Sequence, residues 1–381
     1  MYDTFGFTEQ QVMIRDSVLK LVDKVYPPEK IRRDEASSSF PFEATKALAE
    51  AGWYGLPIAE QYGGSGAGYR DMAVLIEALA YRHKGLATAL ICTVIYGGMT
   101  IQHAASESVK AEFLPRVVSG DVRMAICYSE PASGSDAAGI CTRARKTSDG
   151  YIISGQKIYS TAAHVADYLI ISAKTDPEKG AKGLSLFIVD TRAKGVTVRP
   201  MDSLGARTTL INEVFFDDVF TPAHYLLGEE NGGWKILMHG LNFERILLSA
   251  SAAGQCMNIL DITKAYALDR YAFGKRITEF QAIAHKLAEM KMLTETVRLH
   301  CHQTSAMLDA GRNAVIDTAI AKTIGGENLA KVADLGILIF GAAGYVQGDM
   351  QRLFRDSRIA IIGGGTSEIM RNVIAKQMGV H

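Results

Sequence analysis

The sequence predicts an α+β protein whose chain runs from helices through short strands to long helices. Before residue 120, apolar residues recur at spacings of three and four, which is typical of amphipathic helices. Between residues 121 and 230, short β-rich runs are split by Gly, Asp and Pro, and after them the helical spacing returns. We therefore expect an N-terminal α-helical domain in residues 1–120, a middle β-barrel domain in 121–230 and a C-terminal four-helix-bundle domain in 231–381.

The N-terminal helices have recognisable starts. Thr8 and Gln11 have the spacing of a capping box in front of an apolar helical pattern. Pro41 precedes a second helix, and Asp71 is the expected N-cap of a third, which follows a glycine-rich break. Residues 84–102 are small and apolar, which predicts a buried helix.

The later elements also follow from periodicity. Strands are predicted at residues 151–155, 168–172, 184–189 and 213–216, and such repeated short strands indicate a sandwich or a barrel. An apolar stripe at helical spacing predicts the core of the C-terminal bundle. Its members are Ile277, Phe280, Ile283, Leu287, Met290, Leu293 and Val297.

The composition argues against several classes of protein. Lys plus Arg equals Asp plus Glu at 41 each, so the chain lacks the basic surplus expected of a nucleic-acid binder. The five cysteines are scattered without metal-ligand spacing, which predicts no metal site and a reducing, intracellular setting. Residues 1–9 do not resemble a signal peptide, and no apolar run approaches the roughly 20 residues of a membrane span. We therefore expect a cytoplasmic protein that neither spans nor binds a membrane.

Three segments carry candidate binding residues. Residues 127–136 combine a proline turn with hydroxyls and small residues, which offers N–H and hydroxyl donors to a phosphate or a flavin edge. Residues 155–161 bring an aromatic ring and a hydroxyl to a predicted strand end, and residues 270–281 place basic side chains between two helical runs. Taken alone, each segment is also compatible with an ordinary turn or a solvated charged face.

Together these segments resemble, in order and separation, the signatures of the acyl-CoA dehydrogenase family, and the resemblance covers essentially the whole chain. It implies the acyl-CoA dehydrogenase fold, FAD as cofactor, acyl-CoA as substrate, an electron-transfer flavoprotein as partner, and a homotetramer. It implies cofactor binding by Cys127, Ser129, Tyr159, Thr161, Arg270, Phe273, Gln281, Thr366 and Glu368. It implies substrate binding by Ser135, Asn242 and Arg245.

Some positions have a specific role in the family or depart from its pattern. The family's aromatic at position 159 covers one flavin face, and here it is Tyr159 where tryptophan is usual. The threonine at position 161 meets flavin N5, and the arginine at position 270 binds the FAD diphosphate across a subunit interface. Leu338 replaces a usual glutamine and Ala342 a usual glycine, so the glutamine contact to the adenosine half of FAD is absent and Leu338 is not a site residue.

The predicted catalytic base is the main difference from many family members. Removal of a thioester α-proton requires a desolvated carboxylate. Many members carry it in a C-terminal loop, at the position of Gly364, which has no side chain. Isovaleryl- and long-chain-type members carry it instead in the Glu-Arg pair that corresponds to Glu244 and Arg245. The resemblance therefore implies Glu244 as the base and the Gly364 N–H as a donor to the thioester oxygen. Without it, a surface carboxylate paired with a cation is the more ordinary interpretation of Glu244.

The predicted reaction is α,β-dehydrogenation of an acyl-CoA to a trans-2-enoyl-CoA, with hydride transfer to flavin N5. Residues 363–366 also resemble the crotonobetainyl-CoA-reductase-like branch, so reduction of an enoyl-CoA remains an alternative. A non-dehydrogenating acyl-CoA-binding flavoprotein is another alternative, and an oxygen-using oxidase is disfavoured by the length of 381 residues. The cluster Arg82, His83 and Lys84 is either a solvated helix end, which the sequence favours, or a ligand contact.

Overall fold

The computed structural model describes residues 6–380, apart from the side chain of Asn242. Residues 1–5, part of the segment assessed for a signal peptide, and residue 381 lie outside this description. The N-terminal part is helical. Its helices are α1 (Glu9–Val25), α2 (Pro28–Ser37), α3 (Phe42–Glu50), α4 (Tyr69–Arg82), α5 (Lys84–Leu90), α6 (Thr100–Ala104) and α7 (Glu107–Ser119).

The first helix begins as predicted and the fourth does not. Gln11 N donates to Thr8 Oγ1 and Thr8 N donates to Gln11 Oε1, each at 3.2 Å, so the capping box is present. The predicted N-cap at Asp71 is wrong, because α4 begins at Tyr69 with Gly68 as its N-cap. The Asp71 carboxylate instead accepts a bond of 2.9 Å from Gln11 Nε2, which ties α4 to α1.

A π-helical segment, Ile91–Met99, joins α5 to α6 into one continuous helix. Among the described residues, the helix at 84–104 has the length and hydropathy of a membrane span. However, 78% of its most apolar window is buried inside the protein, as expected for the core helix of a globular protein. Single π-turns occur frequently at functional sites, and Tyr96 lies in this one.

The middle part is a sheet that wraps around its own core. Its strands are β1 (Met124–Cys127), β2 (Arg143–Lys146), β3 (Gly150–Thr161), β4 (Tyr168–Lys174), β5 (Leu184–Asp190), β6 (Val196–Pro200), β7 (Ile211–Pro222) and β8 (Leu226–Leu227). Among the described residues they form one eight-stranded sheet in the order β6-β7-β3-β2-β4-β5-β8, and β1 pairs with β4 in parallel. Tyr151 of β3 packs on Phe187 of β5 with ring centroids 4.9 Å apart, and β7 contributes Phe216 to the same cluster. Strands far apart in the sheet thus share one core, as in a barrel.

Residues 155–161 are part of a strand, whereas the sequence placed them after one. β3 extends to Thr161, and its pairing with β7 shifts register between Ile153 and Gly155 and again between Lys157 and Ser160. Such bulges let a strand continue past a glycine while re-aiming its side chains. Tyr159 lies within the second of these two shifts, and its φ is 59°.

The C-terminal part consists of long helices. They are α8 (Gly233–Asp269), α9 (Gln281–Asp309) and α10 (Val315–Phe340), followed by α11 (Ala342–Tyr345), α12 (Asp349–Ser357) and α13 (Ser367–Gln377). The three long helices pack on one another, and α12 and α13 pack against α10. Met290 and Val297 of the predicted stripe are fully buried. Ile277 lies in a short 3₁₀ turn before α9, and Phe280 is the N-cap of α9.

One apolar cluster joins all three parts of the chain. It includes Ile95 of the π segment, Ile170 and Leu186 on the outer face of the sheet, and Ile246 and Leu247 of α8. The cluster therefore holds α8 near residue 246 against both the π segment and the sheet.

Candidate active site

Glu244 lies on α8 in a buried position and is held by a tyrosine. Its exposed fraction is 7%, and its Oε1 accepts a hydrogen bond of 2.6 Å from the Tyr96 hydroxyl. Burial raises the pKa of Glu244 above its ordinary value, although the Tyr96 bond and the cations Arg245 and Lys322 oppose that shift. Burial and the Glu244 charge also keep the pKa of Tyr96 well above its usual range, so Tyr96 remains a donor. The result is a desolvated carboxylate with a fixed orientation.

The loop that carries Gly364 faces this carboxylate. Gly364 and Gly365 have φ values of 67° and 93°, a region that suits glycine. A Cβ at position 364 would overlap Leu248 Cδ1 and lie 3.2 Å from Glu244 Oε1. A side chain at 364 would therefore meet Leu248 and Glu244 of α8, so the loop packs closely against the helix that carries the acid.

Two cations fix the loop to the helices behind it. Arg245 Nε donates to the Gly364 carbonyl at 3.4 Å, and Lys322 Nζ of α10 donates to the Gly365 carbonyl. Burial lowers the pKa of Lys322 to about 8, while the Glu244 charge acts in the opposite direction. Both carbonyls are thus engaged on the side of the long helices.

The end of β3 reaches the same place through the π segment. Cys92 Sγ lies 3.9 Å from the Thr161 carbonyl oxygen, and Cys92 precedes Tyr96 by one helical turn. Ile158 N donates to the Ser129 carbonyl at 2.9 Å, so the loop after β1 runs beside this strand end. Ser129, Tyr159 and Thr161 therefore share one edge, and the Thr161 carbonyl faces the π segment that carries Tyr96.

The segment at 127–136 has a structural acid and a buried cysteine. Lys157 Nζ, at 2.7 Å, and the N–H groups of Cys141 and Thr142, at 2.5 and 3.0 Å, donate to the Glu130 carboxylate. Burial disfavours the ionised acid, yet these donors hold the pKa of Glu130 below its ordinary value. The Cys127 side chain is fully buried in the core of the sheet, so only its backbone can meet a cofactor.

The predicted substrate residues fall in different surroundings. Ser135 is exposed on the loop after β1, where its neighbours Ser133 and Gly134 form a narrow cleft with Leu237 of α8. Arg245 is buried beside Glu244. The Asn242 side chain lies outside the described part of the chain.

Arg270, Phe273 and Gln281 are not brought to Glu244 within one chain. They flank a hairpin of β9 (Tyr271–Ala272) and β10 (Lys275–Arg276), at the far end of α8. Because 26 residues of helix separate Glu244 from Arg270, the two lie roughly 40 Å apart along α8. Phe273 is 95% exposed, an unusual position for a phenylalanine with no partner surface.

The residues present fit FAD. Tyr159 is 59% exposed at the open strand edge, which leaves a face for a planar ring. Thr366 caps α13 by accepting a bond of 3.2 Å from Ile369 N, and the first N–H groups of α13 point outward, as an anionic diphosphate requires. The side chain of Ser367 adds a buried hydroxyl without a hydrogen-bond partner. Glu368 lies exposed in this first turn, where its own backbone N–H and the Thr366 hydroxyl hold its pKa below its ordinary value.

Tyr96, Leu248 and Lys322 were missed by reasoning from the sequence. Each belongs to an apolar or helical run and carries no local motif, so only the packing of three helices shows their role. His83 and Lys84 were also misjudged as solvated. His83 is 1% exposed with Nε2 3.3 Å from Glu35 Oε1, and Lys84 Nζ donates to the Asp356 carbonyl at 3.0 Å, so both are buried structural links.

Comparison with known proteins gives the same order of N-terminal, middle and C-terminal parts along the chain. The family models of the acyl-CoA dehydrogenase N-terminal, middle and C-terminal domains match residues 8–121, 125–219 and 231–379. The caffeyl-CoA reductase–Etf complex subunit CarC of Acetobacterium woodii is 31% identical over 97% of this chain and 98% of its own length. The mitochondrial isovaleryl-CoA dehydrogenase of Oryza sativa subsp. japonica is 32% identical over 98% of this chain and 92% of its own length. The solved structure of PigA with FAD and proline superimposes with a TM-score of 0.94 at 28% identity, over the full length of both chains.

Proposed function

Since this chain belongs to the acyl-CoA dehydrogenase family, FAD-dependent oxidoreductases that act on CH–CH bonds, we propose that Glu244 is the base that removes the substrate α-proton. The observation that carries the proposal is the buried Tyr96–Glu244 hydrogen bond of 2.6 Å beside a loop with no acid of its own. Burial makes the carboxylate more basic, and the tyrosine fixes its orientation. The product is a trans-2-enoyl-CoA.

The Gly364 N–H is the proposed donor to the thioester oxygen. Its positive φ gives the loop a conformation that a glycine adopts without strain, and Arg245 and Lys322 hold the carbonyls of residues 364 and 365 on the opposite side. A donor that is fixed before the substrate arrives stabilises the charge that develops on the oxygen as the α-proton leaves.

FAD, when bound, supplies the acceptor for the β-hydride. We assign its ring to the edge formed by Ser129, Tyr159 and Thr161, with backbone contact at Cys127, and its diphosphate to the start of α13 at Thr366 and Glu368. Because the Thr161 carbonyl faces the π segment that carries Tyr96, acid–base and redox groups would flank one acyl chain. Positioning of this kind accounts for much of the rate of an enzymatic reaction.

The remaining assignments concern the substrate, the oligomeric state, the partner protein, the cellular location and the domain division. Ser135, Asn242 and Arg245 are proposed to position the CoA part of the substrate and its loop. Arg270, Phe273 and Gln281 are proposed to serve the FAD of a neighbouring subunit in a homotetramer, which is supported by their distance from Glu244 and by the exposed Phe273. We also propose an electron-transfer flavoprotein as partner, a cytoplasmic location and a three-domain division at residues 120 and 230.

The base is tested by Glu244→Gln in the FAD-loaded enzyme, with flavin reduction followed across a panel of acyl-CoA thioesters. Loss of a general base is expected to slow flavin reduction by about 10²- to 10⁴-fold. Glu368→Gln tests the other acid near the loop and is expected to retain activity if FAD still binds. Glu112→Gln is a matched control, since Glu112 accepts a bond of 2.7 Å from the Tyr225 hydroxyl away from the site. Normal flavin reduction by the Glu244 variant would defeat the proposal.

A reductase is the second candidate, favoured by the similarity to CarC, a subunit of a caffeyl-CoA reductase complex. The same residues would then act in reverse, with Glu244 returning a proton to the α-carbon. Faster turnover of enoyl-CoA with a reduced donor than of acyl-CoA with an oxidised acceptor would support this direction. If no thioester of either kind exchanges electrons with the flavin, a non-dehydrogenating acyl-CoA-binding flavoprotein is indicated.

A further inference from the structure

A second feature lies in the seam between α8 and the helix at residues 84–104. The Tyr96–Glu244 bond marks one point of this seam, and a stack of His103 on His239 marks another. Since the residue number rises on one helix as it falls on the other, the two helices run antiparallel. By helical rise, the stack lies ~10 Å from the Glu244 bond along the seam.

A cavity of about 320 Å³ lies along this seam. Ile95, Ile236 and Phe243 contribute apolar side chains to its walls, and Thr100 and Gln102 contribute polar ones. His103 and His239 are exposed and stand at its mouth, with ring centroids 4.0 Å apart and an angle of 10° between the planes. Its volume lies at the lower end of the range of small-molecule sites, where apolar side chains and converging polar groups occur together.

The charges around the mouth favour an anion. Desolvation, then His239 and the ammonium groups of Lys235 and Lys110, lower the pKa of His103. The nearby carboxylate of Glu107 is already engaged by Lys110 Nζ and by the Tyr62 hydroxyl, each at 2.8 Å. A carboxylate at the edges of the two stacked rings would accept a hydrogen bond from an N–H of each imidazole.

We propose that this cavity binds an apolar group that ends in a carboxylate. The carboxylate oxygens accept hydrogen bonds from the ring N–H groups of His103 and His239. The cavity begins at Ile95 and Phe243, the sequence neighbours of Tyr96 and Glu244, which favours the far end of the acyl chain as the ligand. The substrate class is then a CoA thioester whose acyl chain carries a terminal carboxylate. This assignment rests on the proposed function, whereas binding of a free carboxylate at the same histidines does not.

The test compares thioesters of equal chain length that end in a methyl group or in a carboxylate, using the FAD-loaded enzyme. Wild type is expected to show a kcat/KM about tenfold higher for the carboxylate member at the matching length. His103→Phe with His239→Phe keeps two stacked rings and removes their donors, and it is expected to abolish the preference. His224→Phe is the matched control, because that histidine packs on Tyr225 with centroids 4.4 Å apart, away from the cavity, and should keep the preference.

A second measurement distinguishes a free carboxylate from the carboxylate of an acyl chain. It also distinguishes failure of the cavity proposal from failure of the proposed dehydrogenase function. Octanoate alone is added to the FAD-loaded enzyme, and the shift in melting temperature is compared between wild type and the double variant. A shift that needs the histidines, without any preference among thioesters, supports the cavity with a free carboxylate as ligand. If no thioester reduces the flavin while the shift persists, the dehydrogenase mechanism fails and the cavity stands. Absence of both the preference and the histidine-dependent shift overturns the inference.

Discussion

Replacing Tyr96 with phenylalanine removes the hydroxyl that orients Glu244 and should change the pH dependence of the reaction. The hydroxyl donates to Glu244 Oε1 at 2.6 Å in a buried site. A hydrogen bond to a charged group contributes ~1.5–3 kcal/mol, and one pKa unit corresponds to about 1.4 kcal/mol. Loss of this bond should therefore destabilise the buried carboxylate by about 1.5–3 kcal/mol and raise the pKa of Glu244 further in Tyr96→Phe.

The sign of the kinetic effect follows from the form that reacts. The base acts as a carboxylate, so activity falls as pH drops through the pKa of Glu244, and this acidic limb should move to higher pH in the variant. At pH values well above the new limb, the rate of flavin reduction should recover to a large fraction of the wild-type rate. Stopped-flow flavin reduction from pH 5 to 10 measures both quantities.

The control removes a similar bond elsewhere. Tyr225→Phe loses a bond of 2.7 Å to Glu112, away from the site, and its acidic limb should coincide with that of wild type. An unmoved limb in Tyr96→Phe would refute the argument that this hydroxyl stabilises the catalytic carboxylate. A uniform loss of rate at every pH would instead assign Tyr96 a packing role alone.

Three further predictions concern the same site. Gly364→Ala should destabilise the protein by ~1–3 kcal/mol in denaturant titration, because it combines a positive φ with overlap on Leu248, whereas Gly134→Ala has open space and should be nearly neutral. Lys322 loses its proton as pH rises through about 8, so an alkaline limb near that pH should appear in the wild-type rate profile and vanish in Lys322→Met. Because the pKa of Glu244 is raised on folding, the stability contribution of this group is full below the unfolded pKa of about 4.3 and declines as pH rises through the folded pKa. Glu244→Gln should therefore melt at a higher temperature than wild type at pH 8, and the difference should disappear near pH 4.

Local patterns were sufficient for most elements of the fold. The Thr8–Gln11 capping box and the strand starts at Tyr168 and Leu184 depend on nearby residues, and the structure has them as predicted. Predictions were wrong where the local conformation depends on a residue that is distant in the sequence. Asp71 resembles an N-cap in sequence, but its carboxylate is taken by Gln11 of another helix, so the structure begins α4 earlier.

The same distinction between local patterns and distant residues applies to the active site. The absence of an acid at Gly364 and its presence at Glu244 can be read along the chain, and the structure shows that the two positions lie against each other. The tyrosine that holds Glu244 could not be read in this way, because Tyr96 lies 148 residues away in an apolar helix. Likewise, burial of His83 and Lys84 depends on Glu35 and on the Asp356 carbonyl, which no local pattern connects to them.

Exchange of the substrate α-proton with deuterium in heavy water tests the central claim most directly, because it reports the base without requiring hydride transfer. The account predicts that the FAD-loaded wild type catalyses this exchange and that Glu244→Gln slows it by about 10²- to 10⁴-fold. Exchange at the wild-type rate in Glu244→Gln, together with its loss in Glu368→Gln, would contradict the account and move the base to the start of α13.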